Sequence, residues 1–492
     1  MSSAGADAPS ESPPATGAQG RSSLAQNATW LTAAMFGARA CTFALAIVMG
    51  RKLGVTNYGR YGFAVAVGTI VVPLADLGVT PYMSREVAHD RARGEMRAVH
   101  LLQVKIHTAL GALAISAAVA ALISGQVLGA AVIVVVLASM LADGTSAYVY
   151  GYFQGREQMA FEARATVLAA LARGLGGIVC VVAFGLLMPV LVWMLVVSAL
   201  QLAIALRRFF SIADLSRLQE LAGDAAVSWG SVGALGSMTL CALIYLQADS
   251  VIVGVVYDKH AVGLYTAAYA LTAGLQIIPW QVAVALAPVF ARSYATSRDD
   301  FRDTWHRGLR LVLIVSLPFS LITCLLASEV MTLIFGDAFS GGTGALAILV
   351  WSSPIWATNM VVASALRGAR RDRWLATTTG LGVIVNLGLN VWAIPRFGID
   401  GAAAVTVGTE LAVLLAQGWL AISRGVVPFP RLPYARLVLA LMALAAVAVA
   451  GQGNEVVAVA TAALCAYALV LVVSGVVQPS ELRALRSLIG RP

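Results

Sequence analysis

Charge is what this chain has least of: Asp, Glu, Lys and Arg together are 12% of 492 residues, about half the share usual in a soluble domain. With 59% apolar residues and a mean hydropathy of +0.84, a water-soluble fold of ordinary composition is excluded. Cysteine is almost as scarce. Cys41, Cys180, Cys241, Cys324 and Cys465 all lie in apolar windows without a CxxC spacing, so they read as small hydrophobes and not as a disulfide framework or metal site. The five histidines form no HExxH, and no glycine-rich loop ends in Lys-Ser/Thr, which removes zinc proteases and P-loop ATPases. Gly342-Thr343-Gly344 is the nearest approach to a dinucleotide loop, but it opens an apolar span with no strand before it. No polar stretch is long enough for a soluble catalytic domain. Residues 1–22 lack a basic head followed by an apolar run, and read as a disordered cytoplasmic tail.

What the chain does have is apolar runs of about 20 residues, the length that crosses a bilayer. Fourteen fit, near 24–48, 61–80, 101–123, 128–150, 165–186, 188–206, 229–255, 264–290, 310–334, 343–365, 374–394, 400–422, 436–452 and 456–476. Charge alternates between their connections. The loops after every second span, with both termini and the edge residues Arg310 and Arg436, hold 25 of the 33 basic residues, while the opposite loops hold Arg51, Lys52, Arg60, Lys259 and Arg396. The positive-inside rule therefore predicts both termini in the cytoplasm. The basic loops orient the protein and face anionic lipid; no nucleic-acid partner is implied.

The chain is also internally repeated. Tyr58-Gly59-Arg60-Tyr61-Gly62-Phe63-Ala64 returns 204 residues later as Val262-Gly263-Leu264-Tyr265-Thr266-Ala267-Ala268, at the start of the second span of each half. Phe153-Gln154-Gly155-Arg156 likewise returns as Leu366-Arg367-Gly368-Ala369. Six spans per half give both copies one membrane orientation, related by an axis along the membrane normal. The expected organisation is an all-α membrane protein with an N-terminal six-helix lobe (23–210), a cytoplasmic linker (211–228), a C-terminal six-helix lobe (229–423), and two further helices with a tail (424–492).

These repeated Gly-x-Tyr starts, the turn Ala75-Asp76-Leu77-Gly78, and the stretch from Asn386 through Asn390, Pro395 and Gly398 to Gly401 together resemble one transporter superfamily. It is the one that includes lipid-linked oligosaccharide flippases, lipid II flippases and multidrug exporters, and the likeness is to its polysaccharide transporter branch. The resemblance covers about residues 22–475. It implies two pseudo-symmetric lobes around a central cavity, and movement of an undecaprenyl-diphosphate-linked oligosaccharide across a bacterial plasma membrane. The implied partners are that substrate, membrane lipids and polysaccharide assembly proteins.

Ionisable side chains inside spans are costly and mark function by default. Arg39 and Arg173 lie midway along spans 1 and 5, and Asp76, Lys105, Asp143, Asp249 and Glu410 are the others. Guanidinium grips phosphate with paired hydrogen bonds. Arg39 and Arg173, with Lys105 and with Arg51 and Lys52 at the outer mouth, are thus candidates for binding a diphosphate. The competing reading pairs each arginine with Asp76 or Asp143 as a staple between helices.

The C-terminal lobe has a different chemistry. Asn386 and Asn390 share one helical face, and Ala402, Thr406, Thr409 and Glu410 follow on span 12, with Asp249 on span 7. Such an oxygen-rich set suits a hard cation; interhelical hydrogen bonding is the alternative. The resemblance to lipid II flippases implies a cation held by Asp249, Asn386, Asn390, the Ala402 carbonyl and Thr406, with sodium or a proton as coupling ion. This chain has Asn390 where an acid can occur. Subtracting 213 from 386 lands on Arg173, so one lobe looks built for an anion and the other for a cation. No enzyme activity is expected. The rivals are a cation-coupled drug exporter of the same fold and a membrane glycan polymerase or glycosyltransferase, the latter requiring a long loop with catalytic acids.

Overall fold

The structure, a computed structural model, describes residues 17–124, 127–212 and 227–476. Most of the expected N-terminal tail, most of the 211–228 linker and the chain after 476 lie outside the described residues. Every regular element among the described residues is helical. Two helices carry two spans each. In α1 (Gly17–Asp76) the helix breaks at Gly54 (φ 77°), and in α13 (Asp372–Ser423) at Gly398 (φ 61°); glycine takes positive φ without a Cβ clash.

The remaining spans are α3 (Arg91–Ser124), α4 (Val127–Gly155), α5 (Met159–Phe184), α6 (Leu187–Phe210), α7 (Trp229–Val256), α8 (Lys259–Thr296), α9 (Arg298–Leu325), the pair α11 (Thr343–Leu349) and α12 (Ser352–Gly368), α14 (Tyr434–Ala450) and α15 (Val456–Val473). Several boundaries depart from the sequence reading: α3 begins at Arg91 and α9 at Arg298, ahead of the expected 101 and 310, and span 10 is split into α11 and α12. Span 9, expected to run to 334, ends at Leu325, and a separate helix α10 (Ala327–Phe335) follows. The stretch after span 2 is not a loop but α2 (Val79–His89), whose buried Val79, Tyr82, Met83 and Val87 recur at helical spacing; an Arg97–Glu86 ion pair ties it to α3.

The duplication is visible in the backbone. Gly185 (φ 62°), between spans 5 and 6, and Gly398 (φ 61°), between spans 11 and 12, are 213 positions apart. So are Glu157 (φ 60°) and Arg370 (φ 58°), the non-glycine left-handed residues that close spans 4 and 10. The turns match as well, with Gln158 N–H donating to the Phe153 carbonyl and Arg371 N–H to that of Leu366, each at 2.9 Å. Both helices thus end in the same wrapped turn, in which an αL residue redirects the free carbonyls of the last helical turn.

The lobes meet backbone to backbone at both ends of span 2. At its start, a Cβ on Gly59 would overlap the Lys259 carbonyl and lie 2.7 Å from Gly263 N, while one on Gly263 would overlap the Val55 carbonyl. At its end, Gly78 (φ 87°) and Gly236 leave the same lack of room: a Cβ on Gly78 would be 2.7 Å from Gly236 Cα. The Gly59 end is sealed further by aromatic packing of Tyr58 on Phe335 (5.7 Å) and Phe339 (6.0 Å). Spans 13 and 14 stand outside the repeat and pack through Leu437, Leu444, Ala463 and Tyr467 on Ile322 and Leu326 at the end of α9.

Candidate functional site

Each lobe holds a polar network among its spans. In the N-terminal lobe, Gly174 packs on Cys41 and Gly177 on Leu45, a register that puts Arg39 of α1 and Arg173 of α5 at the same depth on adjacent helices. Arg173 lines a cleft of about 210 Å³ together with Thr42, Tyr61, Ser139, Asp143 and Met194. Its guanidinium is already engaged: Nη1 and Nη2 donate to the two Asp143 oxygens at 2.6 and 3.0 Å, and Nη2 also to Gln201 Oε1 at 2.5 Å. Gln201 donates in turn to the Tyr150 hydroxyl at 3.1 Å. Arg173 Nε remains buried without a partner, and the side chain is 27% exposed on the cleft. The staple reading of Arg173 is therefore present, and so is a hollow beside it.

Arg39 differs. It is exposed, with no ion pair among the described residues, and sits one helical turn before Thr42 of the cleft wall without itself lining the cleft. Lys105 is 1% exposed and donates to Asp76 Oδ1 at 2.5 Å, while Asp76 also accepts from Thr80. That places Lys105 in a closed pair between spans 2 and 3. Arg51 reaches across to the other lobe, its Nε donating to the Ile334 carbonyl at 2.8 Å and its Nη2 to that of Leu333. It thus caps the C-terminal end of α10, where a cation meets both free carbonyls and the negative end of the helix dipole. Lys52 is exposed.

In the C-terminal lobe, the sequence-predicted residues converge. Asp249, 3% exposed, accepts from the Tyr265 hydroxyl at 2.6 Å, from Ser250 N–H at 2.6 Å and from the Thr406 hydroxyl at 3.3 Å. Thr406 also donates to the Ala402 carbonyl at 3.0 Å. Asn386 donates to Thr409 at 2.9 Å, and Asn390 to Asn386 Oδ1 at 3.0 Å. Asn390 Oδ1 is buried with no partner. An orphaned buried acceptor is expensive; Asn390 is linked to the Asp249 group through Asn386, Thr409 and the Thr406 carbonyl, and carboxylate, hydroxyl, amide and carbonyl oxygens are the donor types that fit a hard cation. Glu410 forms a neighbouring cluster, accepting from Asn359 Nδ2 at 2.9 Å.

Several participants were not singled out in the sequence. Gln201 and Tyr150 carry no helical pattern that marks them. Tyr61 and Tyr265 did have a signal, being the repeated tyrosine of the Gly-x-Tyr starts: one lines the Arg173 cleft, and the other holds Asp249.

Two repeated six-helix lobes, with opposite charge chemistry in each, define a polytopic membrane protein of the transporter type. The fold is similar to that of the lipid II flippase MurJ in an inward closed conformation, with a TM-score of 0.72 and 12% identity, covering 90% of this chain and 98% of that one. It is also similar to an inward-facing multidrug resistance MATE family transporter of the MOP superfamily, at 0.63 and 15%, covering 78% and 94%. The chain matches the polysaccharide biosynthesis protein family over residues 24–294, more than half its length, and belongs to that family. A second match, to MatE, covers residues 235–392. Two proteins of Haloferax volcanii are similar. The probable low-salt glycan biosynthesis flippase Agl15 is 24% identical over 163 residues, which are 33% of this chain and 34% of that protein; the probable flippase AglR is 25% identical over 195 residues, 38% and 40%. The matched part thus spans well under half of either relative.

Proposed function

We propose that the protein is a flippase that carries undecaprenyl-diphosphate-linked oligosaccharide from the inner to the outer leaflet of a bacterial plasma membrane by alternating access of its two lobes. Arg39 and Arg173 supply the positive charge for the diphosphate. Asp249 and its neighbours hold a cation whose binding favours one lobe arrangement over the other. The observation that carries this reading is Arg173 lining a cleft, with Arg39 on the adjacent helix at a similar level, in a chain of a polysaccharide biosynthesis family. A dianionic headgroup crossing hydrocarbon requires such partners, because an unpaired charge in the bilayer interior is costly.

The Arg173–Asp143 pair gives this a mechanism. With no substrate, Asp143 neutralises the guanidinium and keeps the cleft cheap to bury; an arriving phosphate shares or displaces that carboxylate while Gln201 keeps the guanidinium aimed. Asp249, Thr406, the Ala402 carbonyl and Asn390 Oδ1 are the oxygens that would receive sodium, which supplies differential stabilisation of the two states and no covalent chemistry. The basic-loop bias supports cytoplasmic termini. Reconstituted vesicles loaded with fluorescent undecaprenyl-diphosphate oligosaccharide test the reading. Arg39→Ala and Arg173→Ala are each expected to slow translocation at least about tenfold, the loss of one charge-assisted contact; unchanged rates in both remove the phosphate assignment. A cationic-dye efflux assay on the same vesicles separates this from the drug-exporter reading, which expects efflux that survives both substitutions.

A further inference from the structure

A second cleft, of about 580 Å³, lies at the seam between the lobes, away from both polar sites. Its walls come from the second half of α1, from α3 and α4, and from the α7–α8 corner, and include Arg60, Phe63, Val67, Ile115, Val119 and Lys259. Its volume lies within the range of small-ligand sites. The cleft is open sideways: Ile115 is 68% exposed and Val255 73%, and in a spanning helix such faces meet lipid.

Its chemistry is graded along its length. Arg60 and Lys259, one from each lobe, stand beside the Gly59–Gly263 crossing. Neither has a carboxylate partner among the described residues. Arg60 Nη1 donates to Asn57 Oδ1 at 3.1 Å, leaving the rest of its fork available. Lys259 Nζ donates to the Gly254 carbonyl at 2.8 Å and lies 3.4 Å from the centre of the Phe63 ring. The adjacent acid, Asp258, caps α8 by accepting from Ala261 N–H at 2.9 Å, and its charge also acts on Lys259. From Phe63 the wall continues through Val67 and Val71, spaced four apart on one helical face, for about 12 Å of helix rise, opposite Ile115 and Val119. Two cations with no direct ion pair among the described residues at one end, and a hydrocarbon stripe leading away, match an anionic headgroup with a chain attached.

We propose that this cleft is a binding site for an anionic phospholipid of the surrounding bilayer, with its phosphate between Arg60 and Lys259 and one acyl chain along Phe63, Val67 and Val71. Because the two cations belong to different lobes, the bound lipid holds together the arrangement in which Gly59 meets Gly263. It therefore acts as an effector of the lobe equilibrium through its differential affinity for the two states.

The test needs no glycan substrate. The full-length protein is placed in nanodiscs containing a small fraction of phosphatidylglycerol, or of phosphatidylcholine with the same diazirine-bearing acyl chain, then irradiated and mapped by peptide mass spectrometry. Phosphatidylglycerol is expected to label residues 63–71 and 115–119 roughly tenfold more than phosphatidylcholine, as two nearby basic groups permit. Arg60→Gln/Lys259→Gln is expected to abolish that preference, and Arg60→Lys to retain it. Equal labelling by the two lipids, or a preference that survives the double substitution, overturns the proposal. If the double variant does not yield folded protein, Val119→Trp decides instead, because filling the chain-binding part must lower phosphatidylglycerol labelling of 63–71; labelling that persists overturns the proposal equally.

Discussion

Arg173 and Arg39 look alike in sequence and are held very differently. Arg173 is clamped by Asp143 and Gln201 and lines the cleft, whereas Arg39 is exposed and is not among the cleft's lining residues. This yields a test of sign. If Arg173 serves only as a staple, Asp143→Asn and Arg173→Ala damage the protein alike. In the proposed role Asp143→Asn frees the guanidinium, so the apparent affinity for the diphosphate headgroup rises while Arg173→Ala lowers it, as a binding titration with the labelled lipid would show. Lys105 belongs to the structural side. Its pair with Asp76 is almost closed to solvent, and removing one partner of a buried pair costs about 3–5 kcal/mol. Lys105→Ala should therefore unfold at a clearly lower temperature, and Lys105→Met/Asp76→Asn should recover much of the loss. A thermal scan that leaves Lys105→Ala at the parent's midpoint would contradict this. Asn390 offers a third handle: with its Oδ1 buried and unpaired and its amide joined to the Asp249 network through Asn386 and Thr409, Asn390→Asp is expected to raise the apparent affinity for sodium by adding a charge to the set, read from the sodium dependence of transport.

At the scale of elements, the glycine contacts decide which ends of the lobes can close. Gly59 against Lys259 and Gly263, and Gly78 against Gly236, have no room for a methyl group. Gly59→Ala should therefore force the lobes apart at one end of span 2, and Gly78→Ala at the other. Paired spin labels across each seam measure this as opposite changes in distance; identical behaviour of the two variants would show that the contacts are not separate closures. Arg51 should act with Gly59. Its guanidinium bridges α1 to the C-terminal end of α10, so Arg51→Ala is expected to lengthen distances at the Gly59 seam and leave the Gly78 seam unchanged. The pair of glycines at Gly59 and Gly263 was visible in sequence as a repeated Gly-x-Tyr. That the two copies touch one another was not, because a repeat shows equivalence and says nothing of contact.

At the scale of the molecule, hydropathy assigned the spans because it is local: a window of side chains partitions into lipid largely by its own composition. Duplication was legible for the same reason, and the left-handed residues that end spans 4, 5, 10 and 11, bar the span 4 and 10 positions held by Glu157 and Arg370, were glycines in the sequence. The break at Leu326 was not legible, since no glycine or proline marks it and α10 is held by tertiary contacts, with Phe335 on Tyr58 and the Leu333 and Ile334 carbonyls on Arg51. So the sequence by itself determined an all-helical, duplicated membrane protein with cationic and oxygen-rich residues divided between its halves. Only the tertiary structure decided that Arg173 has Asp143 as a partner, that Lys105 is committed to Asp76, that Arg51 links the lobes, and that Asp249, Asn386, Asn390, Ala402 and Thr406 lie in one connected network. Partner choice depends on distances between helices far apart in the chain, and no periodicity along the chain encodes those distances.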